Sequence, residues 1–368
     1  MSKICFITLG DIEKVPTAKR AIGMAPELAR LGHRVAIVLW DVPANRARFA
    51  MACPDAEPLW VSSDNMAGEI MNKIRAVRKW RPDLVYQTSF GLRNLACLRW
   101  LYCRGAKVIA EHCESYSSFG EFTHRLCLKV LENRSVAEAD GLACASRYLQ
   151  EEFERYAKQR KSAARTIYLP YAYPDYLTPQ GRATNDSGVK HILLMTALWK
   201  NYGVLDVVRA AKILSAKRTD FVVDIVGDGP ARREMAKLID EQALGDHVFL
   251  RGFVPEKELN HWFSQASVFL APLYNTVQDI ARCPSKVYYY LPYQKPIVTC
   301  ALGDPHELLK EDGYYYSPGD IEDMADVLNR ALNEENVFSF RSVQVAEHSW
   351  NFRARQFETW CKENGWLS

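Results

Sequence analysis

The chain has 368 residues, ten cysteines and a formal charge of +3. That length exceeds what one hydrophobic core of ordinary size organises, so two domains are expected, and the 48% apolar and 25% charged fractions are those of a globular protein. The charge is too small to argue for a nucleic-acid partner, and no run of 18 apolar residues reads as a membrane span.

Met1-Ser2-Lys3 leads straight into Ile4–Leu9, an apolar run too short for a signal segment, so a first strand is predicted over Lys3–Leu9. Ala18, Ala21, Ile22, Ala25, Leu28 and Ala29 recur at helical spacing, and Gly32 closes that helix. Pro26 within the pattern predicts a kink or a start there. His33 follows the glycine and is read as a cap. A second strand follows over Arg34–Leu39. Ile70, Met71, Ile74 and Val77 mark a helix whose other face carries Lys73, Arg75, Arg78 and Lys79. Further strands are predicted at Leu84–Gln87, Lys107–Ala110 and Gly141–Cys144, the last followed by a helix that Ser146 can cap. Strands alternating with helices imply a parallel sheet covered on both faces.

The cysteines at 5, 53, 97, 103, 113, 127, 144, 283, 300 and 361 form no CxxC and have no histidine at metal-binding spacing. They are expected to be free thiols of a reducing cytoplasm, with neither zinc nor a disulfide framework.

The stretch 176–190 is polar, rich in breakers and without periodicity, so it is read as a linker between a domain at 1–175 and a second at 191–345. The alternation then restarts. His191–Met195 is a strand, Val204, Val207, Val208, Ala211 and Leu214 line a helix, and Phe221–Val226 is a strand ended by Gly227-Asp228-Gly229-Pro230. Leu259, Trp262, Phe263 and Ala266 form another helical stripe before a strand at Val268–Ala271. Cys283-Pro284-Ser285-Lys286 is a turn into a short helix, which Lys295-Pro296 ends, and Ile297–Cys300 is a buried strand. Ser285 is read as the cap of that helix and Lys286 as a point charge suited to phosphate; an ordinary loop-to-helix joint explains the spacing equally well. Residues 346–368 carry Phe357, Trp360 and Cys361 at helical spacing and are expected to pack back on the first domain. Histidines 124, 247 and 261 are given no partner.

Taken in order, several of these segments resemble the retaining GT-B glycosyltransferases, family 4-like (group 1). Val226-Gly227-Asp228-Gly229-Pro230 is similar to that family's strand-to-helix glycine turn, and Val248–Pro255 to its strand and loop beside the nucleotide base. Pro284-Ser285-Lys286-Val287 with Lys295-Pro296-Ile297-Val298 resembles its donor-diphosphate segment, and Pro318-Gly319-Asp320 the turn before its late helix. Glu132, Glu138–Gly141 and Ala145-Ser146 resemble its approach to the interdomain cleft. The resemblance implies an α/β fold of two Rossmann-like, doubly wound domains facing a central cleft, with ligands beyond the carboxyl ends of the strands.

Departures are specific. The family usually has an acidic pair eight positions apart; Tyr289 stands where the second acid would fall, and Asp279 is the nearest candidate for the first. Lys200 is the single cation kept in a shortened loop, and Gly10 is what remains of a glycine pair after the first strand.

The implied reaction moves a hexose-type sugar, with retention, from a nucleoside-diphosphate sugar to a glycan or lipid-linked acceptor, in bacterial surface-polysaccharide or glycoconjugate synthesis. No bound cofactor is expected. With no acidic metal-binding cluster, the protein itself must neutralise the departing diphosphate, through Lys200, Lys286, Ser285 and Gly10. Gly227, Gly229, Phe253, Val254 and Tyr289 are the nucleotide-side candidates. His112 is the catalytic candidate as a hydrogen-bonding and positioning group, and Glu111 and Glu114 are either bases or solvated loop carboxylates. Basic and aromatic residues interleave over 92–104, either as a peripheral contact with the inner face of the cytoplasmic membrane or as an ordinary helix. A nucleotide-sugar epimerase, a phosphorylase and a non-catalytic partner subunit are the alternatives on the same fold; Tyr289 is the feature that favours the last.

Overall fold

The computed structural model describes residues 1–10, 12, 16–62, 65–88, 105–118, 122–177, 188–336 and 338–368. The stretch 92–104 therefore lies outside the described residues. The chain forms two compact units, Met1–Ala172 with Ala281–Cys283 and Ala346–Ser368, and Tyr173–Ile280 with Pro284–Val345.

The first unit holds β1 (Lys3–Ile7), β2 (Arg34–Trp40), β3 (Glu57–Val61), β4 (Leu84–Gln87), β5 (Lys107–His112), β6 (Gly141–Cys144) and β7 (Arg165–Tyr168). They lie in the order β3-β2-β1-β4-β5-β6-β7, and every pair is parallel. β1 ends at Ile7 rather than Leu9 because Thr8 leaves the ladder and turns its Oγ1 onto the Val38 carbonyl at 2.7 Å. Helix Pro16–Arg30 runs through Pro26 and closes at Gly32, whose φ is 89°. His33 is buried and helps to cap that helix, as expected: its backbone N–H donates to the Leu28 carbonyl at 3.1 Å, and its Nε2 lies 3.3 Å from Glu358 Oε1.

Helix Met66–Trp80 is capped by Asn65, which accepts from the Gly68 amide at 2.7 Å. Lys73, expected on its solvated face, is fully buried: its ammonium pairs with Glu69 at 2.7 Å and donates to the Thr8 carbonyl at 2.9 Å. Ser146 caps helix Arg147–Gln159, accepting from Leu149. The C-terminal helix Trp350–Glu363 packs on Pro16–Arg30. A Cβ on Gly23 would fall 2.3 Å from the Trp350 ring, so the small residue permits the contact.

The second unit holds β8 (Lys190–Met195), β9 (Phe221–Val226), β10 (Val248–Gly252), β11 (Val268–Leu270), β12 (Ile297–Thr299) and β13 (Tyr314–Tyr315), in the parallel order β10-β9-β8-β11-β12-β13. Val204, Val207, Val208, Ala211 and Leu214 turn one face of helix Val204–Ser215 into the core and are all buried. The valines and the leucine each contribute on the order of 1.5–3 kcal/mol relative to exposure. Strand order reverses beside β8, which has β9 on one side and β11 on the other. Ligands of doubly wound sheets sit beyond the carboxyl ends of the strands at such a point.

Candidate functional site

At the carboxyl end of β8 the chain leaves the sheet through Thr196, Ala197 and Leu198. The turn after β9 presses against it. Gly227 has φ 142°, and a Cβ there would stand 1.8 Å from the Thr196 carbonyl oxygen. Only glycine allows that approach. A Cβ on Gly229 would fall 2.7 Å from the Leu198 oxygen, and backbone hydrogen bonds from Leu198 to Asp228 and from Ala231 to Leu198 lock the two loops together.

Lys286 enters the same place. Helix Ser285–Tyr290 begins beside β8, and its Lys286 ammonium donates to Thr196 Oγ1 at 2.8 Å. The Tyr290 hydroxyl, from the same helix, accepts from the Met195 amide at the end of β8 at 3.0 Å. Ser285 is not the cap: Pro284 holds that position and brings no side-chain acceptor, which leaves Ser285 in the first helical turn. Lys200 is exposed on the turn after β8 and pairs with Glu234 at 2.5 Å. Phe253 is 64% exposed and Val254 half-buried just past β10.

Asp279 and Tyr289 are both buried. The Asp279 carboxylate accepts from the Tyr274 amide at 2.6 Å, while the Tyr274 hydroxyl donates to Asp206 at 2.5 Å. Asp279 therefore organises the turn after β11. Tyr289 belongs to the packed face of its helix.

In the first unit Gly10 has φ 103°, and a Cβ on it would overlap the Trp40 indole at 2.3 Å. Its amide donates to Thr8 Oγ1 at 3.0 Å, and Asn45 binds its carbonyl. His112, the last residue of β5, is fully buried with its ring 3.8 Å from that of Phe153, and its Nε2 lies 2.9 Å from Ser135 Oγ. Burial lowers its pKa to about 3, so the ring is neutral. Glu111, one residue earlier, points to the opposite face of the sheet. It receives Arg20 Nε at 2.9 Å; Arg20 also donates to the Leu169 carbonyl at 2.8 Å. Burial raises the Glu111 carboxyl to about 7 against the pull of Arg20. Glu114 is half-buried in the loop that follows. Beside it Glu132 accepts from both the Ser117 amide, at 3.0 Å, and its hydroxyl, at 2.6 Å.

The structure thus brings Lys286, Gly227 and Gly229 to one strand end, with Lys200 on the adjoining turn. Thr196 is the residue that sequence reasoning missed. Its signal is a hydroxyl immediately after the apolar run Ile192–Met195, at the point where a parallel strand delivers side chains to a ligand.

Comparison with known proteins agrees with this architecture. Residues 189–334 match the family model described as glycosyl transferases group 1. An exopolysaccharide phosphotransferase of Streptomyces coelicolor is 25% identical over 197 residues, which are 53% of this chain and 20% of that protein. The amylovoran biosynthesis glycosyltransferase AmsK of Erwinia amylovora is 25% identical over 147 residues, 39% of this chain and 36% of that one. The chain thus spans well under half the length of either relative. The crystal structure of Anabaena HepE in complex with UDP and glucose superposes with a TM-score of 0.73 at 14% identity, covering 99% of this chain and all of the other. The fold is that of the GT-B glycosyltransferases. Within it, residues 189–334 are the segment similar to the group 1 glycosyl transferases.

No helix among the described residues is long and apolar enough to cross a membrane.

Proposed function

We propose that this chain is a retaining glycosyltransferase that moves a sugar from a nucleoside-diphosphate donor to a glycan or lipid-linked acceptor in surface-polysaccharide synthesis. The observation that carries the reading is the Lys286–Thr196 contact at the carboxyl end of β8, inside the segment that matches the family model. A cation held beside a glycine turn suits a diphosphate, since charge grows on that group as the sugar leaves. The donor's C1–O bond to the diphosphate breaks, a bond forms from C1 to an acceptor hydroxyl on the same face, and the acceptor proton passes to a donor phosphate oxygen. Lys286 and Lys200 neutralise the departing group, with Ser285 as a further diphosphate contact. Phe253 and Val254 receive the base, and Gly227 and Gly229 give the backbone its close approach.

His112 is neutral and buried, so in this reading it positions the loop carrying Glu114 rather than exchanging a proton. Asp279 shapes the turn that faces the sugar. Tyr289, buried in its helix, acts through packing. Two similar proteins lend support, an amylovoran biosynthesis glycosyltransferase and one crystallised with UDP and glucose.

A thermal-shift screen against UDP, GDP, ADP and CDP and their sugars tests the reading, because a ligand that binds only the folded state raises the midpoint. One nucleotide family raising it in the wild type, and failing to do so in Lys286→Met, is the expected result. No shift with any of them would favour a non-catalytic subunit.

A further inference from the structure

The first unit carries a polar cavity at the amino end of its sheet. Its volume is about 760 Å³, and it is lined by Lys107, Asp140 and Arg165, which stand at the amino ends of β5, β6 and β7, and by Arg160, Lys161 and Trp366. A smaller cavity of about 370 Å³ adjoins it, sharing Ala164, Arg165 and Asn364 and adding Trp360. Both volumes fall within the roughly 300–1,000 Å³ of small-ligand sites. Lys107 and His112 are opposite ends of β5, about 16 Å apart at strand rise, so this groove is separate from the strand ends described above.

Its charges are unevenly used. Lys107 pairs with Asp140 at 3.1 Å. Arg160, Lys161 and Arg165 make no side-chain hydrogen bond or ion pair among the described residues. The carboxyl end of helix Arg147–Gln159 favours a cation at 160 or 161 through its dipole, but it does not account for Arg165 on a strand. Glu138 Oε1 accepts from Arg134 Nε at 2.5 Å, while its Oε2 is buried without a hydrogen-bond partner.

The aromatic wall is built by close packing. Trp360 and Trp366 meet edge to face, with ring centroids 4.9 Å apart. Both rest on Gly141, where a Cβ would stand 2.5 Å from Trp360 and 2.9 Å from Trp366.

Unpaired guanidinium groups, side-chain carboxylates, an amide and flat indoles are the complement of an acidic sugar. Its carboxylate takes arginine in charge-assisted hydrogen bonds, its hydroxyls use carboxylate and amide, and its C–H face lies on an indole. Lipid would want an exposed apolar rim, and a polyphosphate has no C–H face to lay on the indoles. We propose that this groove is a second saccharide site, which holds carboxylate-bearing sugar units of a glycan. It stands on these residues alone and does not depend on the transfer reading.

Calorimetric titration of the full chain at low salt tests it with tetragalacturonate, neutral maltotetraose and tetraglutamate, the last matching the charge without the sugar ring. The expected result is binding of tetragalacturonate at least tenfold tighter than either control, unchanged by saturating nucleoside diphosphate. Arg160→Glu with Arg165→Glu should weaken it at least tenfold, and Lys161→Glu provides a second, independently folded variant. Absence of tetragalacturonate binding, equal binding of tetraglutamate, or undiminished binding in folded charge-reversed protein would each overturn the proposal.

Discussion

Lys286 lies 2.8 Å from the hydroxyl of Thr196, a contact that joins the first turn of a six-residue helix to the residue immediately past β8. The pair holds an ammonium where two loops already pack backbone to backbone. In the proposed reading, the same ammonium turns to the donor diphosphate. Replacing Lys286 with methionine keeps the stem and removes the charge. The expected loss is about 1.5–3 kcal/mol of nucleotide affinity, or roughly 10- to 150-fold in Kd, since the lost hydrogen bond is to a charged group. Thr196→Val should cost less, because the cation remains. Titration calorimetry of both variants gives the comparison.

Two glycines with positive φ separate steric need from backbone preference. Gly319 (φ 81°) has nothing within 4 Å of a would-be Cβ, whereas Gly227 (φ 142°) faces the Thr196 oxygen at 1.8 Å. Gly319→Ala is expected to cost about 1–2 kcal/mol in strain. Gly227→Ala must also force the β8 and β9 loops apart, so its melting midpoint should fall well below that of Gly319→Ala. Equal midpoints would show that the two loops yield easily.

Arg20 and Glu111 are both fully buried. Arg20→Met leaves the buried Glu111 carboxyl without its guanidinium partner and should destabilise the chain by about 3–5 kcal/mol. Glu111→Gln leaves an acceptor for the guanidinium and should cost less. Urea unfolding of the two variants gives the order, and the double change Arg20→Met with Glu111→Leu should recover part of the loss.

The ring of His112 gives a pH signature. Folded, it accepts a proton only near pH 3; unfolded, near the ordinary 6.5. Between those values the unfolded chain binds the extra proton, so acidification through that window favours unfolding by up to about 1.4 kcal/mol per pH unit. His112→Gln removes this contribution. Its stability should therefore fall less steeply than the wild type's between pH 6.5 and pH 5, as read from urea midpoints.

Legibility in the sequence follows burial. Inner strands such as Ile192–Leu194 are covered on both faces and appear as unbroken apolar runs. β3, β7 and β13 went unread, and all three are sheet edges: Pro58 interrupts one, Arg165-Thr166 opens another, and the third has two residues. Lys73 was misplaced because helical spacing does not reveal that Glu69 and the Thr8 carbonyl await it inside. His247 was given no partner, yet it bonds the Phe221 carbonyl at 2.9 Å and stacks on that ring. At the candidate site the glycines and Lys286 were readable from order along the chain. Thr196 and Glu234 were not, since each is defined by a contact across tens of residues. The acidic-sugar groove was least visible of all, because its cations and its tryptophans lie some two hundred positions apart.

The most direct measurement of the central claim is the melting midpoint of wild-type and Lys286→Met protein, each with and without saturating UDP, GDP, ADP or CDP. The account predicts that one nucleotide raises the wild-type midpoint and that the variant, folded and otherwise equally stable, loses most of that rise. An equal rise in both proteins, or none in either, would contradict the placement of the donor diphosphate at Lys286 and Thr196.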